Sequence, residues 1–268
     1  MFRHSVTQAI VLQSRQFGEI HKTVTLFTPA EGLVSAIAHG AKKIGSRLRS
    51  TTEVFCLSRV FLYYDPVRRS YKITDMEGLS LFHGIRASLA RYYAASLWAE
   101  LILKSYAGGE SARSLFALLR DCLALCEAAP HDAVRRISLQ FLWRYLSLTG
   151  QAPDLERCSE CGRAVGDEEG LAWGEAAALC FRCAARAAGT IAVPAGARRY
   201  LLHTAALPLE GAARVRLDAA AESALRSLLL AVVQNVLEVP LSSVAVEAAS
   251  DRGAAAAAAL TRAGRGRA

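Results

Sequence analysis

Four cysteines carry the most specific chemistry in this chain. Cys158 and Cys161 form one C-x-x-C pair and Cys180 and Cys183 another, with eighteen residues between the pairs. A thiophilic ion such as zinc takes four thiolates at tetrahedral corners, and two tight turns that each supply a pair deliver that geometry. The expected cofactor is a structural zinc, because four sulfurs leave no open position for a substrate or an activated water. Its binding free energy, about 10–16 kcal/mol in isolated finger peptides, would fold a segment too small to fold by itself. Between the pairs, Asp167, Glu168 and Glu169 read as a solvated hairpin tip. Arg157, Arg163 and Arg182 could touch a polyanion, but scaffolding is the simpler role for the module. Cys122 and Cys126 stand one helical turn apart in an apolar stripe and read as core, and Cys56 has no ligand spacing either.

Basic residues form the second constellation. Lys42, Lys43, Arg47 and Arg49 cluster with Gly40 and Gly45 in a segment that can follow a phosphate backbone. The two glycines have P-loop spacing, but Ser46-Arg47 stands where the phosphate-gripping Lys-Ser/Thr would be, so nucleotide hydrolysis is rejected. Arg68, Arg69 and Lys72 surround a later turn, and Arg15 and Lys22 stand behind both groups. Phe55, Phe61, Tyr63, Tyr64 and Tyr71 are interleaved and could stack bases. Alternation is expected to put Phe61 and Tyr63 together on the inner face. The six histidines are scattered without ligand or nucleophile spacing, and no catalytic constellation is visible. The expectation is a protein that is not an enzyme.

Charge distribution supports that emphasis. The net charge is +8, and residues 1–84 hold eleven Lys/Arg against six Asp/Glu. Residues 85–251 are nearly balanced, with seventeen against eighteen, and residues 252–268 add four arginines and no acid. A basic domain of this kind is an electrostatic footprint for nucleic acid. The opening residues do not resemble a signal peptide, and no apolar run reaches the length of a membrane span. A reducing cytoplasm is therefore expected, where paired cysteines hold metal rather than each other.

The elements that must position these groups fall into two kinds. Val6–Leu12, Ile20–Thr28, Leu33–His39, Thr52–Tyr64 and Tyr71–Thr74 read as five strands separated by turn-prone segments. With no crossover helix among them, a small closed barrel removes the exposed edges, and a five-stranded OB barrel is the economical choice. An SH3-like barrel is the alternative. From Leu79 the period becomes helical: Leu79–Tyr106, stopped by Gly108-Gly109; Ser111–Glu127; Ala133–Leu148, capped by Asp132; residues 195–206; and Ser223–Leu237. The expected fold class is α+β multidomain. An OB-fold barrel over 1–80 precedes an all-α domain over 81–155 and 189–250, with a four-cysteine insert over 156–188. Residues 251–268 are expected to be disordered.

The chain at this point resembles the RecO family of bacterial recombination and repair proteins. The resemblance rests on Ala9-Ile10-Val11-Leu12 with Phe17-Gly18-Glu19, on Gly32-Leu33, and on Ala38-His39-Gly40-Ala41-Lys42-Lys43. The most specific piece is Gln140 to Leu155, followed by Cys158-Ser159-Glu160-Cys161-Gly162. It covers residues 1 to about 245. It implies an N-terminal OB domain, a helical domain and a zinc-finger insert. It also implies binding of single- and double-stranded DNA, annealing of complementary strands, and help for RecA in replacing single-strand-binding protein, together with RecR. The basic segment here is poorer in arginine and proline than is usual in the family, and some members lack part of the cysteine quartet. Two other roles fit the residues: a scaffold whose helical domain docks peptides or subunits, and a zinc-containing RNA-binding protein.

Overall fold

The computed structural model describes residues 3–105, 111–174, 176–237 and 239–247. The first five strands are β1 (His4–Phe17), β2 (His21–Thr28), β3 (Gly32–Ala38), β4 (Leu57–Asp65) and β5 (Ser70–Ser80), with a single-turn helix α1 (Leu48–Thr51) before β4. They close into a barrel in the order β1-β2-β3-β5-β4. Its β3–β5 seam is parallel, and the other pairings are antiparallel. β1 serves two neighbours. Residues His4–Ile10 pair with β4 and residues Ile10–Phe17 with β2, and an irregularity between Val11 and Gln13 lets the strand bend from one to the other.

The run Ala9-Ile10-Val11-Leu12 is buried on both faces, and the reason lies in what covers each face. Ala9 and Val11 fill the barrel with Val24, Leu26, Val60, Leu62 and Ile73. Ile10 and Leu12 join Phe27, Phe55 and Leu57 in the core of the helical domain. Phe27 meets Phe116 across this junction at 6.0 Å between ring centroids. The Arg86 guanidinium adds a hydrogen bond to the Val54 carbonyl at 3.0 Å.

Three short-range expectations about the barrel need correction. Phe61 and Tyr63 point outward, while their neighbours Val60 and Leu62 fill the interior. The aromatic pair is one residue out of phase with the buried set, and a one-residue step reverses the face. Strand β4 starts at Leu57 rather than Thr52, because Thr51 and Thr52 close α1 by bonding back to its carbonyls. Strand β5 extends well past Thr74, to Ser80. Asp75, Glu77 and Gly78 hide it from pattern reading because they lie on the solvent side.

The helices are α2 (His83–Arg86), α3 (Leu89–Ser105), α4 (Ser111–Cys126), α5 (His131–Leu148), α7 (Ala195–Ala205), α8 (Leu209–Arg214) and α9 (Ala219–Leu237), with a one-turn α6 (Phe181–Ala184) inside the cysteine segment. The single helix expected from Leu79 is therefore the end of β5, then α2, then α3. Phe82, in the left-handed region at φ 45°, makes the first corner. Glu127 caps α2 from a distance, accepting the N–H groups of Gly84 and Ile85 at 2.9 and 3.0 Å. Gly84 allows this approach, since a Cβ there would lie 2.4 Å from the Glu127 carbonyl. Asp132 is not the cap of α5; Pro130 holds that position, and Asp132 pairs with Arg136 in the first turn. The glycines expected to stop α3 and the tail from 251 lie outside the described residues.

Trp98, Phe141 and Tyr145 stack through the centre of the helical domain, and Cys122 and Cys126 are buried beside them as expected. Helix α9 is long and apolar enough to cross a membrane on length and composition. Its apolar stripe, Leu225, Leu228, Leu229, Val232 and Val233, is instead buried in this core. Strands β6 (Leu171–Gly174), β7 (Ala177–Leu179) and β8 (Ile191–Val193) form a small sheet of order β7-β6-β8. The sheet carrying the cysteine segment thus extends to Val193, beyond the limit at 188 read from the sequence.

Candidate metal centre and nucleic-acid interface

The structure brings the Sγ atoms of Cys158, Cys161, Cys180 and Cys183 within 4.8 Å of one another. Cys161 and Cys180 are 3.9 Å apart. A sulfur tetrahedron at a zinc–sulfur bond length of about 2.3 Å has edges of about 3.8 Å, so the donor set fits such an ion. Each pair sits on a turn closed by its own backbone. Gly162 N–H donates to the Cys158 carbonyl at 2.9 Å, and Ala184 N–H to the Cys180 carbonyl at 2.9 Å. Gly162 takes φ +70°, a conformation that glycine adopts without strain.

The environment prepares the sulfurs unequally. Burial pushes the Cys158 thiol up, but the N–H groups of Cys161, Cys180 and Glu160 pull it down further, to about 6. Cys180 is lowered too, chiefly by the Cys183 N–H, while burial pushes Cys183 up. Backbone donors thus favour two thiolates, and the charge of a bound cation would deprotonate the remainder. Three of the four cysteines are buried and Cys161 is exposed. Of the acidic run, Glu169 pairs with Arg163 and Glu168 with Arg199, which ties the hairpin tip down by its charges.

Arg198 holds this module on the helical domain. Its side chain extends from α7, is almost fully buried, and donates to the carbonyls of Leu155 at 2.6 Å, Val165 at 2.9 Å and Gly166 at 3.0 Å. Sequence reading missed it, because an arginine next to a second one, Arg199, looks like part of a solvated helix face.

Several basic residues of the barrel lie round the β1–β2 turn and His39. Lys42 N–H donates to the Ile20 carbonyl, and Lys42 Nζ to Gln16 Oε1 at 2.7 Å, so the Gly40–Arg49 segment lies against the β1–β2 turn near Arg15. Strand pairing aligns an outer row of directly opposed residues: Arg15, Thr23, Ile37, Lys72, Tyr63 and His4. Arg68 and Lys72 are near enough to His39 to help lower its pKa, after burial and His21. Among the described residues, Arg15, Lys42, Lys43, Arg47, Arg49, Arg68 and Arg69 are exposed with no carboxylate at ion-pairing distance. Two of the expected contacts are occupied. Lys22 is largely covered and pairs with Glu53 at 2.8 Å, and Lys72 pairs with Asp65 at 2.8 Å. Among the aromatics, Phe55 is buried at the domain junction and Tyr71 bonds Glu31. Lys72 Nζ lies 5.8 Å from the centre of the Tyr63 ring.

Comparison with known proteins gives a consistent result. The family model described as "Recombination protein O N terminal" matches residues 1–82, and "Recombination protein O C terminal" matches residues 86–245. A "DNA repair protein RecO" from Pelotomaculum thermopropionicum is 32% identical over 237 residues, covering 88% of this chain and 91% of its own. Another of the same description, from Rubrobacter xylanophilus, is 34% identical over 84% of this chain and 90% of its own. A third, from Desulfatibacillum aliphaticivorans, is 31% identical over 83% and 88% respectively.

Proposed function

Because the chain belongs to the RecO family of DNA repair proteins, we propose that it is a DNA-binding recombination mediator that works without catalysis. In this reading it binds single- and double-stranded DNA, anneals complementary strands, and helps load RecA onto DNA coated with single-strand-binding protein, in concert with RecR. The observation that carries the DNA-binding part is the set of exposed cations of the barrel domain that no carboxylate pairs with among the described residues: Arg15, Lys42, Lys43, Arg47, Arg49, Arg68 and Arg69. Lys22 and Lys72 contribute less, because Glu53 and Asp65 neutralise them.

The physical mechanism is charge compensation. Two like-charged strands must approach before they can pair, and a basic surface lowers that repulsion. Contacts to phosphate carry no sequence information, so the strands can search for register while held. Nothing in these steps requires hydrolysis or group transfer. The cysteine quartet would hold zinc as a structural ion. When bound, the ion would supply a fold-stabilising crosslink and no reactive position. The work belongs in the cytoplasm, at the nucleoid.

The test is to replace Lys42, Lys43, Arg47 and Arg49 together with alanine and to measure oligonucleotide binding, annealing and partner binding. Wild-type contacts to about six phosphates on a single strand predict a log–log salt slope of about −4. The variant is expected to lose affinity and annealing, to show a shallower slope, and to keep its protein partners. Unchanged DNA affinity, or a wild-type slope near zero, rejects the electrostatic site. A preference for RNA by several orders of magnitude would favour an RNA-binding role.

A further inference from the structure

Resting on that DNA-binding reading, we propose that Phe17, His21 and His39 form a base-stacking platform. It would receive an unpaired base of a single strand while the neighbouring cations hold its phosphates. Phe17 and His21 are directly opposed at the end of the β1–β2 ladder, with ring centroids 6.5 Å apart. His39 meets His21 edge-on at 4.9 Å. The three rings form one continuous aromatic group beside Lys42, Arg68 and Lys72.

Phe17 is 49% exposed. The helical domain covers the barrel at Ile10, Leu12 and Phe27, and leaves this ring in water. The rest of the platform is fixed. The Gly40 N–H donates to His21 Nδ1 at 2.9 Å, so that nitrogen is the acceptor and the imidazole cannot rotate freely. Gly40, at φ +68°, begins the basic segment, so the same bond pins that segment to the ring. Burial first, then His21, Lys72 and Arg68, holds the His39 imidazole below its ordinary pKa. At neutral pH it therefore offers a ring rather than another cation.

Cations flank the rings. Arg15 stands two residues before Phe17, and Lys42 is bonded to Gln16 beside it. A base stacked on Phe17 would have its phosphates within reach of long basic side chains. Stacking tolerates any base, because every base has a π face. A duplex offers no free face, since its bases already stack on each other. The platform therefore gives the barrel a preference for single strands that phosphate contacts alone do not supply.

The experiment compares wild type, Phe17→Ala and Phe17→Leu for binding to oligothymidylate, to an abasic strand of the same length, and to a duplex of that length, each over a salt series. Phe17→Ala is expected to weaken oligothymidylate binding by roughly 5- to 100-fold, with Phe17→Leu in between. Duplex affinity and the single-strand salt slope should stay the same, because no phosphate contact is lost. Wild type and Phe17→Ala should bind the abasic strand alike. The platform is overturned if Phe17→Ala binds oligothymidylate as wild type does, or loses the normal and abasic strands equally. Neither outcome touches the electrostatic reading, which is tested by the wild-type salt slope and by the alanine variant of Lys42, Lys43, Arg47 and Arg49. Phe17 is half in solvent, so both variants should melt as wild type does.

Discussion

Lys72 Nζ lies 2.8 Å from the Asp65 carboxylate, across the root of the hairpin that joins β4 to β5. One carboxylate oxygen takes this ammonium, while the other accepts the N–H groups of Val67 and Arg68 at 3.1 Å and shapes the turn. The hydrogen bond from Lys72 is the main reason the Asp65 carboxyl is held below its ordinary range. An acid thus sits within the basic surface and cancels one of its charges.

Replacing Asp65 with asparagine separates those two duties. Asparagine keeps an oxygen for the turn and releases Lys72 toward a phosphate. Binding to single strands is expected to tighten, with a salt slope steeper by about 0.7, the value for one more phosphate contact. Oligonucleotide titrations over a salt series measure both. An unchanged slope would mean that Lys72 does not reach the strand even when freed.

Arg198 offers a test of the cysteine module's role. Arg198→Ala would leave the carbonyls of Leu155, Val165 and Gly166 without their donor, at a cost on the order of 3 kcal/mol. Thermal unfolding and metal content should both fall. Removing metal with a chelator should likewise open residues 156–193 to protease. In either case oligonucleotide binding should persist, because the free cations lie on the barrel. Parallel loss of metal and DNA affinity would instead place the module in the interface. Elemental analysis of untreated protein should find one thiophilic ion per chain.

Glu100 fastens the residues after α9 onto α3. Its carboxylate accepts the N–H groups of Ser242 and Ser243, each at 2.8 Å, and pairs with Lys104 at 2.7 Å. Burial works against its ionisation, but Lys104 and the two serines outweigh it and bring the pKa to about 2. A folded-state value below the ordinary 4.5 means that ionisation stabilises the fold. That contribution is complete above pH 4.5 and is lost as pH falls toward 2. Glu100→Gln should therefore be less stable than wild type at neutral pH, and the difference should close across that acidic window. Urea unfolding of both proteins along a pH series measures it. A difference that does not change with pH would assign the effect to packing.

Several parts of this architecture are legible in one dimension because they are local. Cys158, Cys161, Cys180 and Cys183 announce themselves by spacing, since a C-x-x-C turn is specified by a few consecutive residues. β3 is legible because its burial alternates throughout, and β2 because Val24 and Leu26 alternate with threonines before the buried Phe27. β5 is not, because Asp75, Glu77 and Gly78 interrupt its run on the solvent side. The same holds for the corner at Phe82 and the break at Ala87-Ser88. There the break is set by Glu127 and Arg91 arriving from other segments, Arg91 bonding the carbonyls of Glu127 and Ala129.

The candidate nucleic-acid site divides the same way. Sequence could name the lysines and arginines, because charge is a property of composition. It could not tell that Lys22 and Lys72 are spent on Glu53 and Asp65, because Glu53 meets Lys22 only in the folded barrel and Asp65 meets Lys72 only once the β4–β5 hairpin has set its register. Nor could it find Phe17, whose importance depends on which face the helical domain leaves uncovered.

The two kinds of secondary structure, the sulfur quartet, the concentration of positive charge in the first eighty residues and the family are all legible in the chain alone. These follow from spacing and composition, which are properties of neighbouring residues. Tertiary packing settles which of those charges are free, which aromatic rings face solvent, and that a buried arginine holds the cysteine module in place. Those outcomes depend on groups far apart in the chain, such as Arg198 and Leu155. Their contact is set by how the barrel, the helices and the small sheet pack together.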